Sequence, residues 1–425
     1  MLSQLSRDLA LPPMARVIQG FKVPPAVDPA AEINQKLSPL LSRADLPAGA
    51  RIAVAVGSRG IDRLGQAVAA VVVCLKEAGA APFIMPAMGS HGAGTAEGQI
   101  GVLAERGVTE EICGAPVVAD METAPMGEID GIPRFLSKPA HDAFGLVLIN
   151  RVKPHTNFIG KTESGILKMM AIGLGNREGA EHYHRLALVR DQYSIFSTVG
   201  RSLVSDTNFL AGVCLVENQD HRICRVEAAG PAEVEDVEAG LLRLAKELIP
   251  GLPLDRADLL IVDEMGKDIS GEGIDPCVVG RDCCFYGDPR PTPAISRIVV
   301  RALTPASHGS AVGLGQADFC LTSLVEGIDW EATAVNEMTA CCPEGAKTPL
   351  HFPSDRQMIA AALRTIRPYT LNDLQLVYIK NTLQLKEIWV SKACLKQVLE
   401  RPWAAVAEEN LALPLDQEGM LVSPF

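Results

Sequence analysis

Apolar residues come in short blocks of two kinds along this chain. RIAVAVGS (51–58), PFIMPAMGS (82–90), LVLINRV (146–152) and AGVCLVENQ (211–219) are compact apolar runs, several rich in β-branched residues, each leading into a polar or glycine-bearing loop. They predict strands. Between them, GQAVAAVVVCLKEAG (65–79) predicts a helix closed by its terminal glycine, and a further helix opens near Thr95. After the turn-rich LIPGLPLDRAD (248–258), DLLIVDEMG (258–266), SRIVVRALT (296–304), LQLVYIKNT (374–382) and KEIWVSK (386–392) predict strands, with helices over 327–340 and 355–366. Alternation at this spacing predicts an α/β fold: two α/β domains with parallel or mixed sheets and an active-site cleft between them. The boundary falls near residue 255, giving domains 1–255 and 256–425, with the last ~20 residues placed as a stretch that can return to the first domain.

Composition narrows the function classes. A chain of 425 residues is too long for one comfortable core, and 48% hydrophobic with 21% charged residues is ordinary for a globular protein. The net charge of −12, with no run of lysines and arginines, argues against a nucleic-acid partner. The longest apolar runs, such as AVAAVVVCL (67–75), are about half the length that crosses a bilayer. The opening MLSQLSRDLALPPMAR lacks a basic segment followed by an apolar one, so the expectation is a cytoplasmic protein without a membrane partner. Eleven cysteines without a C-x-x-C suggest thiols rather than a disulfide framework. The adjacent pairs Cys283–Cys284 and Cys341–Cys342 lack zinc-site spacing, and neighbouring side chains diverge on any regular element, so they read as structural.

In open α/β sheets ligands sit outside the carboxyl ends of the strands. Arg59, His91 and His155 follow three such ends in the first domain, and Lys267 follows one in the second. Arg59, framed by Gly57 and Gly60, offers a forked guanidinium suited to a carboxylate or phosphate, against the plainer reading of a solvated loop arginine. His91 lies in the glycine-rich MGSHGAGT and His155 in NRVKPHTNF; each taken alone is equally a loop histidine bonding backbone. GKTESGILKMMAIGLGNREGAEHYH (160–184) sets one lysine, Lys168, inside an apolar run, with His182 and His184 a loop further on. The two histidines cannot share a helix face at i, i+2 but can on an extended segment, so one is a ligand and the other a neighbour. GLGNREG (173–179) reads as a loop that reverses the chain.

Together these residues resemble the nickel-pincer-dependent lactate racemase family. Ser164-Gly165-Ile166-Leu167-Lys168 matches its Ser-Gly-x-x-Lys segment, and His184, sixteen residues beyond Lys168, matches its nickel-ligating histidine. The resemblance implies a lysine covalently joined to the pincer nucleotide (nickel with a pyridinium-3,5-bisthiocarboxylic acid mononucleotide). It implies His91 and His155 as catalytic bases, Arg59 as the substrate-binding arginine, and Lys267, in the EMGKDI (264–269) turn that opens the second domain, as a further substrate-binding residue. Two departures put lactate itself in doubt as substrate. Val56 stands where lactate racemases have an aspartate, and SGEGIDPCVVGRD (270–282) replaces a Leu-Tyr-Gln-x-x-Lys segment. SHGSAVGLGQADF (307–319) and IDWEATAVNEMTA (328–340) resemble a divergent branch of the same superfamily.

The function implied is an isomerase, a racemase or epimerase of a 2-hydroxy acid working by reversible hydride transfer. The α-proton of a hydroxy carboxylate is too weakly acidic for easy inversion by deprotonation, and removing hydride after deprotonating the hydroxyl avoids that carbanion. Two histidines, titrating at about 6.5, can alternate as acid and base on opposite faces of the substrate. The hydride acceptor must be a cofactor, because no side chain accepts hydride. Small-molecule hydroxy acid and cofactor-maturation enzymes are the partners implied; the oligomeric state is open. Two other readings stand beside this one: a divalent-metal hydrolase or lyase using His155, His182 and His184, and a non-catalytic ligand-binding homologue.

Overall fold

The computed structural model describes residues 9–21, 23–284, 287–290 and 292–425. The chain forms two compact units, Val23–Ile249 and a second made of Pro250–Phe425 joined by the first strand, β1 (Met14–Gln19). The division at 250 lies a few residues before the expected boundary, and β1, expected with the first domain, belongs to the second. No helix among the described residues is long and apolar enough to cross a membrane.

The Val23–Ile249 unit is built on β2 (Arg51–Val56), β3 (Ala81–Pro86), β6 (Gly145–Arg151), β7 (Phe209–Glu217) and β8 (Ile223–Ala229), in the order β3-β2-β6-β7-β8. A separate hairpin, β4 (Thr123–Ile129) with β5 (Ile132–Ser137), is inserted before β6. β3, β2, β6 and β7 run parallel, and β8 is antiparallel to β7. Both faces of the parallel strands are covered, which is why their sequences are apolar without alternation. On one face Ile52, Val54, Val56, Val147 and Ile149 pack against the helices Pro29–Arg43 and Leu64–Glu77. On the other, Gly212 of β7 leaves room for Ile166 and for Val234 at the start of helix Val234–Leu248; a Cβ there would stand 2.9 and 3.0 Å from their side chains.

The second unit has one mixed sheet. β9 (Arg256–Met265), β10 (Ala294–Leu303), β11 (Phe319–Leu321), β12 (Leu350–Phe352) and β13 (Leu376–Ile379) are parallel; β14 (Glu387–Ser391), β1 and β15 (Ala404–Leu411) continue it antiparallel, in the order β12-β11-β10-β9-β13-β14-β1-β15. Leu260 and Val262 of β9 face one core, Leu259 and Ile261 the other. The stretch after β15 packs within this unit: Leu421 N–H donates to Asp355 Oδ2 at 2.7 Å, and Ser423 Oγ to Asp263 Oδ2 at 2.6 Å. Arg301 of β10 joins the same group, forked onto both oxygens of Asp355 at 2.9 and 3.0 Å. A bidentate pair on a buried carboxylate fixes the C-terminal stretch to the sheet.

Candidate functional site

β3 pairs with one side of β2 and β6 with the other, so the strand order reverses at the carboxyl ends of β2 and β6. Open α/β sheets bind ligands at such a point. Arg59 lies half-buried on the loop leaving β2, His91 on the loop after β3, and His155 on the loop after β6. Gly57 permits the close approach of the two central strand ends: a Cβ there would stand 3.2 Å from Asn150 Oδ1.

Contacts tie these loops together. Ser58 Oγ and His91 Nδ1 are 2.6 Å apart. A hydroxyl both donates and accepts, so this partner suits His91 in either tautomer. Gly89 N–H donates to the Gly173 carbonyl at 3.1 Å, fastening the His91 loop to the turn beyond Lys168. Lys153 and Ser164 exchange both backbone hydrogen bonds at 3.1 Å, and Asn150 Nδ2 donates to the Gly165 carbonyl at 3.2 Å. The strand that leads to His155 is thereby joined to the segment that leads to Lys168.

His155 is nearly enclosed, 7% exposed, with its ring stacked on Phe158 at 4.1 Å. Its Nδ1 accepts the Asn157 N–H at 3.1 Å. A neutral ring bonded in this way carries its proton on Nε2 and presents a donor. To take up a proton it must give up the Asn157 contact. The loop is closed by Glu163, whose buried carboxylate accepts from His155 N–H at 2.7 Å, Gly160 N–H at 3.3 Å and Lys246 Nζ at 2.6 Å.

Lys168 ends a short helix, Ile166–Lys168, that runs into a π turn at Met169–Gly173. The reversal expected over 173–179 is tighter than a loop, because Asn176, at φ 50°, already begins helix Asn176–Leu186. Its side chain donates to the carbonyls of Asp120 and Glu122 at 3.0 and 3.4 Å, which supports the left-handed backbone there. His182 and His184 therefore lie on a helix and not on an extended segment. Two residues apart on a helix, they project about 200° from one another. His182 meets Phe135 at 5.9 Å, whereas His184 meets Phe196 at 6.0 Å. Phe196 is 5.5 Å from Phe158, so His155 and His184 stand at the two ends of one aromatic run.

The His184 residue keeps some exposed surface, but its Nδ1 is sealed and has no hydrogen-bond partner among the described residues. Burial first, and the nearby Lys168 charge second, push its pKa down to about 4. At neutral pH the ring is an uncharged imidazole within reach of the Lys168 charge.

Two acids that position these groups escape a motif-based reading. Glu163 is one. Glu238 is the other: fully buried on helix Val234–Leu248, its Oε2 accepts from Ile166 N–H and Leu167 N–H at 3.0 and 3.1 Å. The signal was present in the sequence, because Val234, Glu238, Leu241, Leu242 and Ala245 share the apolar face of one helix.

Lys267 lies in the second unit, just beyond β9, with its Nζ donating to Asn336 Oδ1 at 2.6 Å on helix Trp330–Thr339. Its charge also reaches Glu337, whose pKa burial pushes up to about 7 while Lys267 opposes the shift. The expectation of free thiols fails at one pair. Cys284 and Cys342 form a disulfide, and the other nine cysteines are thiols.

No family model and no curated protein matches this chain. Among solved structures it is similar to the lactate racemase apoprotein from Thermoanaerobacterium thermosaccharolyticum, at 14% identity and a TM-score of 0.48 over 86% of this chain and 84% of that one. So distant a likeness leaves function to be argued from the site itself.

The raised pKa of Glu238 has a measurable consequence. Burial pushes it from 4.5 to about 7, against the lowering effect of its two backbone bonds. The folded unit therefore holds this proton more tightly than the unfolded chain. The resulting stabilisation is complete below about pH 4.5 and is lost as pH rises through about 7. Glu238→Gln keeps the carbonyl acceptor but cannot ionise. Urea unfolding of both proteins between about pH 5 and 8 is expected to show the variant gaining on the wild type by on the order of 2–3 kcal/mol. Parallel curves over that range would mean that Glu238 does not titrate there.

Proposed function

We propose that this chain is a racemase or epimerase of a 2-hydroxy acid that works with a nickel-pincer nucleotide. One observation carries the reading: a neutral imidazole, His184, with a sealed Nδ1 that has no partner among the described residues, within reach of the Lys168 charge. Neutral imidazole is the metal-binding form, and a buried polar atom without a partner is costly unless something completes it. The residues fit the group: Lys168 would hold its organic part and His184 its nickel. When bound, the group supplies a reversible hydride acceptor.

The remaining work falls to the chain. The Arg59 guanidinium binds the substrate carboxylate in a two-pronged contact and fixes which atoms face the site. His91, backed by Ser58, takes and returns the hydroxyl proton on one face. His155 offers an Nε2 donor on the other face; it accepts a proton at Nε2 only in the other tautomer, with the Asn157 contact given up and the ring proton carried on Nδ1. Phe158 and Phe196 keep water from the ends of this aromatic run. With Val56 in place of an aspartate, a hydroxy acid other than lactate is the proposed substrate. Loading calls for the enzymes that make the nucleotide, which are the partners this reading requires. A plain metal site of His155, His182 and His184 is disfavoured, because His182 turns to Phe135 on the far side of its helix.

Nickel content of protein produced with the cofactor-making enzymes tests the ligand. His184→Ala is expected to lose most of the nickel and His182→Ala to keep it, measured per chain by atomic emission. The opposite pattern overturns the assignment.

Activity tests the bases. Across a panel of single-enantiomer 2-hydroxy acids, His91→Ala and His155→Ala are each expected to slow racemisation by about 10²–10⁴-fold. Arg59→Lys should mainly raise KM, since it keeps the charge and loses the fork. Near-normal racemisation by both alanine variants would refute the two-base scheme.

A further inference from the structure

The second unit holds a group of sulfurs that the proposed reaction does not use. Cys283 and Cys284 follow the short helix Pro276–Val279, and Cys342 follows helix Trp330–Thr339. Their three Sγ atoms lie within 4.8 Å of one another. Cys342 is fully buried, Cys284 is 7% exposed and Cys283 is half-buried. The donors come from segments 58 residues apart, which is why neither Cys-Cys pair shows metal spacing in the sequence. Cys283 and Cys284 do not lie on a regular element, so the divergence expected of neighbouring side chains does not apply to them.

The surroundings are negative. Asp282 Oδ1 accepts the Cys284 N–H at 2.9 Å, setting its carboxylate against the backbone of the sulfur-bearing turn. Glu337 is 2% exposed and accepts the Gly313 N–H at 3.1 Å. Burial pushes the Cys283 thiol up, and Glu272, Asp282 and Glu337, in that order, add to the shift. Three sulfurs among carboxylates form a poor place for a lone thiolate and a good one for a cation, because a bound positive charge relieves the repulsion that opposes ionisation.

We propose that Cys283, Cys284 and Cys342 form a redox-gated site for a thiophilic divalent cation of the zinc class. In the oxidised form two of its three donors are tied up in the Cys284–Cys342 bond. A dithiol reductant supplies two electrons, breaks that bond to two thiols and itself becomes a disulfide. Cation binding then displaces the thiol protons to solvent, and the three sulfurs leave one position of a tetrahedral shell to a carboxylate oxygen or water. Cys342 N–H donates to the Glu337 carbonyl at 3.0 Å, so the site adjoins the helix that carries Asn336 and Glu337.

The test uses the full chain, purified without nickel and divided into two portions. One is oxidised; the other is reduced anaerobically with a phosphine and desalted. Zn²⁺ is titrated against a chromophoric chelator, and Cd²⁺ is added separately to look for sulfur-to-metal charge transfer in the ultraviolet. The reduced portion is expected to take one more Zn²⁺ per chain than the oxidised one and to show the cadmium–thiolate band. Cys283→Ser, reduced, should bind at least about tenfold more weakly. Equal zinc uptake by the two portions, or a reduced protein without the band, would overturn the proposal. That comparison needs no variant to fold, and because His184 is present in both portions it stands apart from the nickel reading.

Discussion

A carboxyl group sealed inside the first unit, Glu238, sets the position of the residue on which the proposed chemistry turns. Its Oε2 takes the N–H groups of Ile166 and Leu167, two of the donors that the start of a helix leaves without partners. Gly165 makes this possible, since any Cβ there would collide with the same carboxylate. The turn carrying Lys168 is thus built on a buried acid from a helix some seventy residues away, and the π turn and left-handed Asn176 that follow bring His184 back beside the lysine.

The rest of the candidate site is arranged around that turn. β6 reaches it through Asn150 and Lys153, the β3 loop through Gly89, and the β2 loop through the contact of Ser58 with His91. The loops that follow three parallel strands, which carry Arg59, His91 and His155, are thereby tied to one helical segment. His184 presents a sealed Nδ1 within reach of the Lys168 charge, and an acid, Glu163, is committed to holding the His155 loop and Lys246.

Much of this was legible in the sequence because it is local. The apolar runs that end in glycine or polar loops mark β2, β3, β6, β7, β9 and β10, and Thr95 caps its helix through Gly98 N–H at 3.1 Å. What escaped is non-local. β1 carries an ordinary strand pattern, and nothing in MARVIQ says that its partners are β14 and β15 at the far end of the chain. The helical state of EHYH was missed because the glycines before it signal a loop, whereas Asn176 accepts the left-handed conformation and lets the helix start early. The hydrogen bond that makes the neutral His155 a donor depends on the fold of its loop, and the Cys284–Cys342 bond on two segments brought together by the second unit. Glu238 was within reach, as an acid on an apolar helical stripe.

The role of Lys168 is tested most directly by intact-mass spectrometry of the wild-type chain and Lys168→Ala, each produced alongside the enzymes that make the pincer nucleotide. A known racemase loaded in the same host serves as the positive control. The wild type is expected to gain the mass of one nucleotide-sized group, and Lys168→Ala to gain none. An unmodified wild type in a host that loads the control, or an adduct that survives Lys168→Ala, would contradict the account.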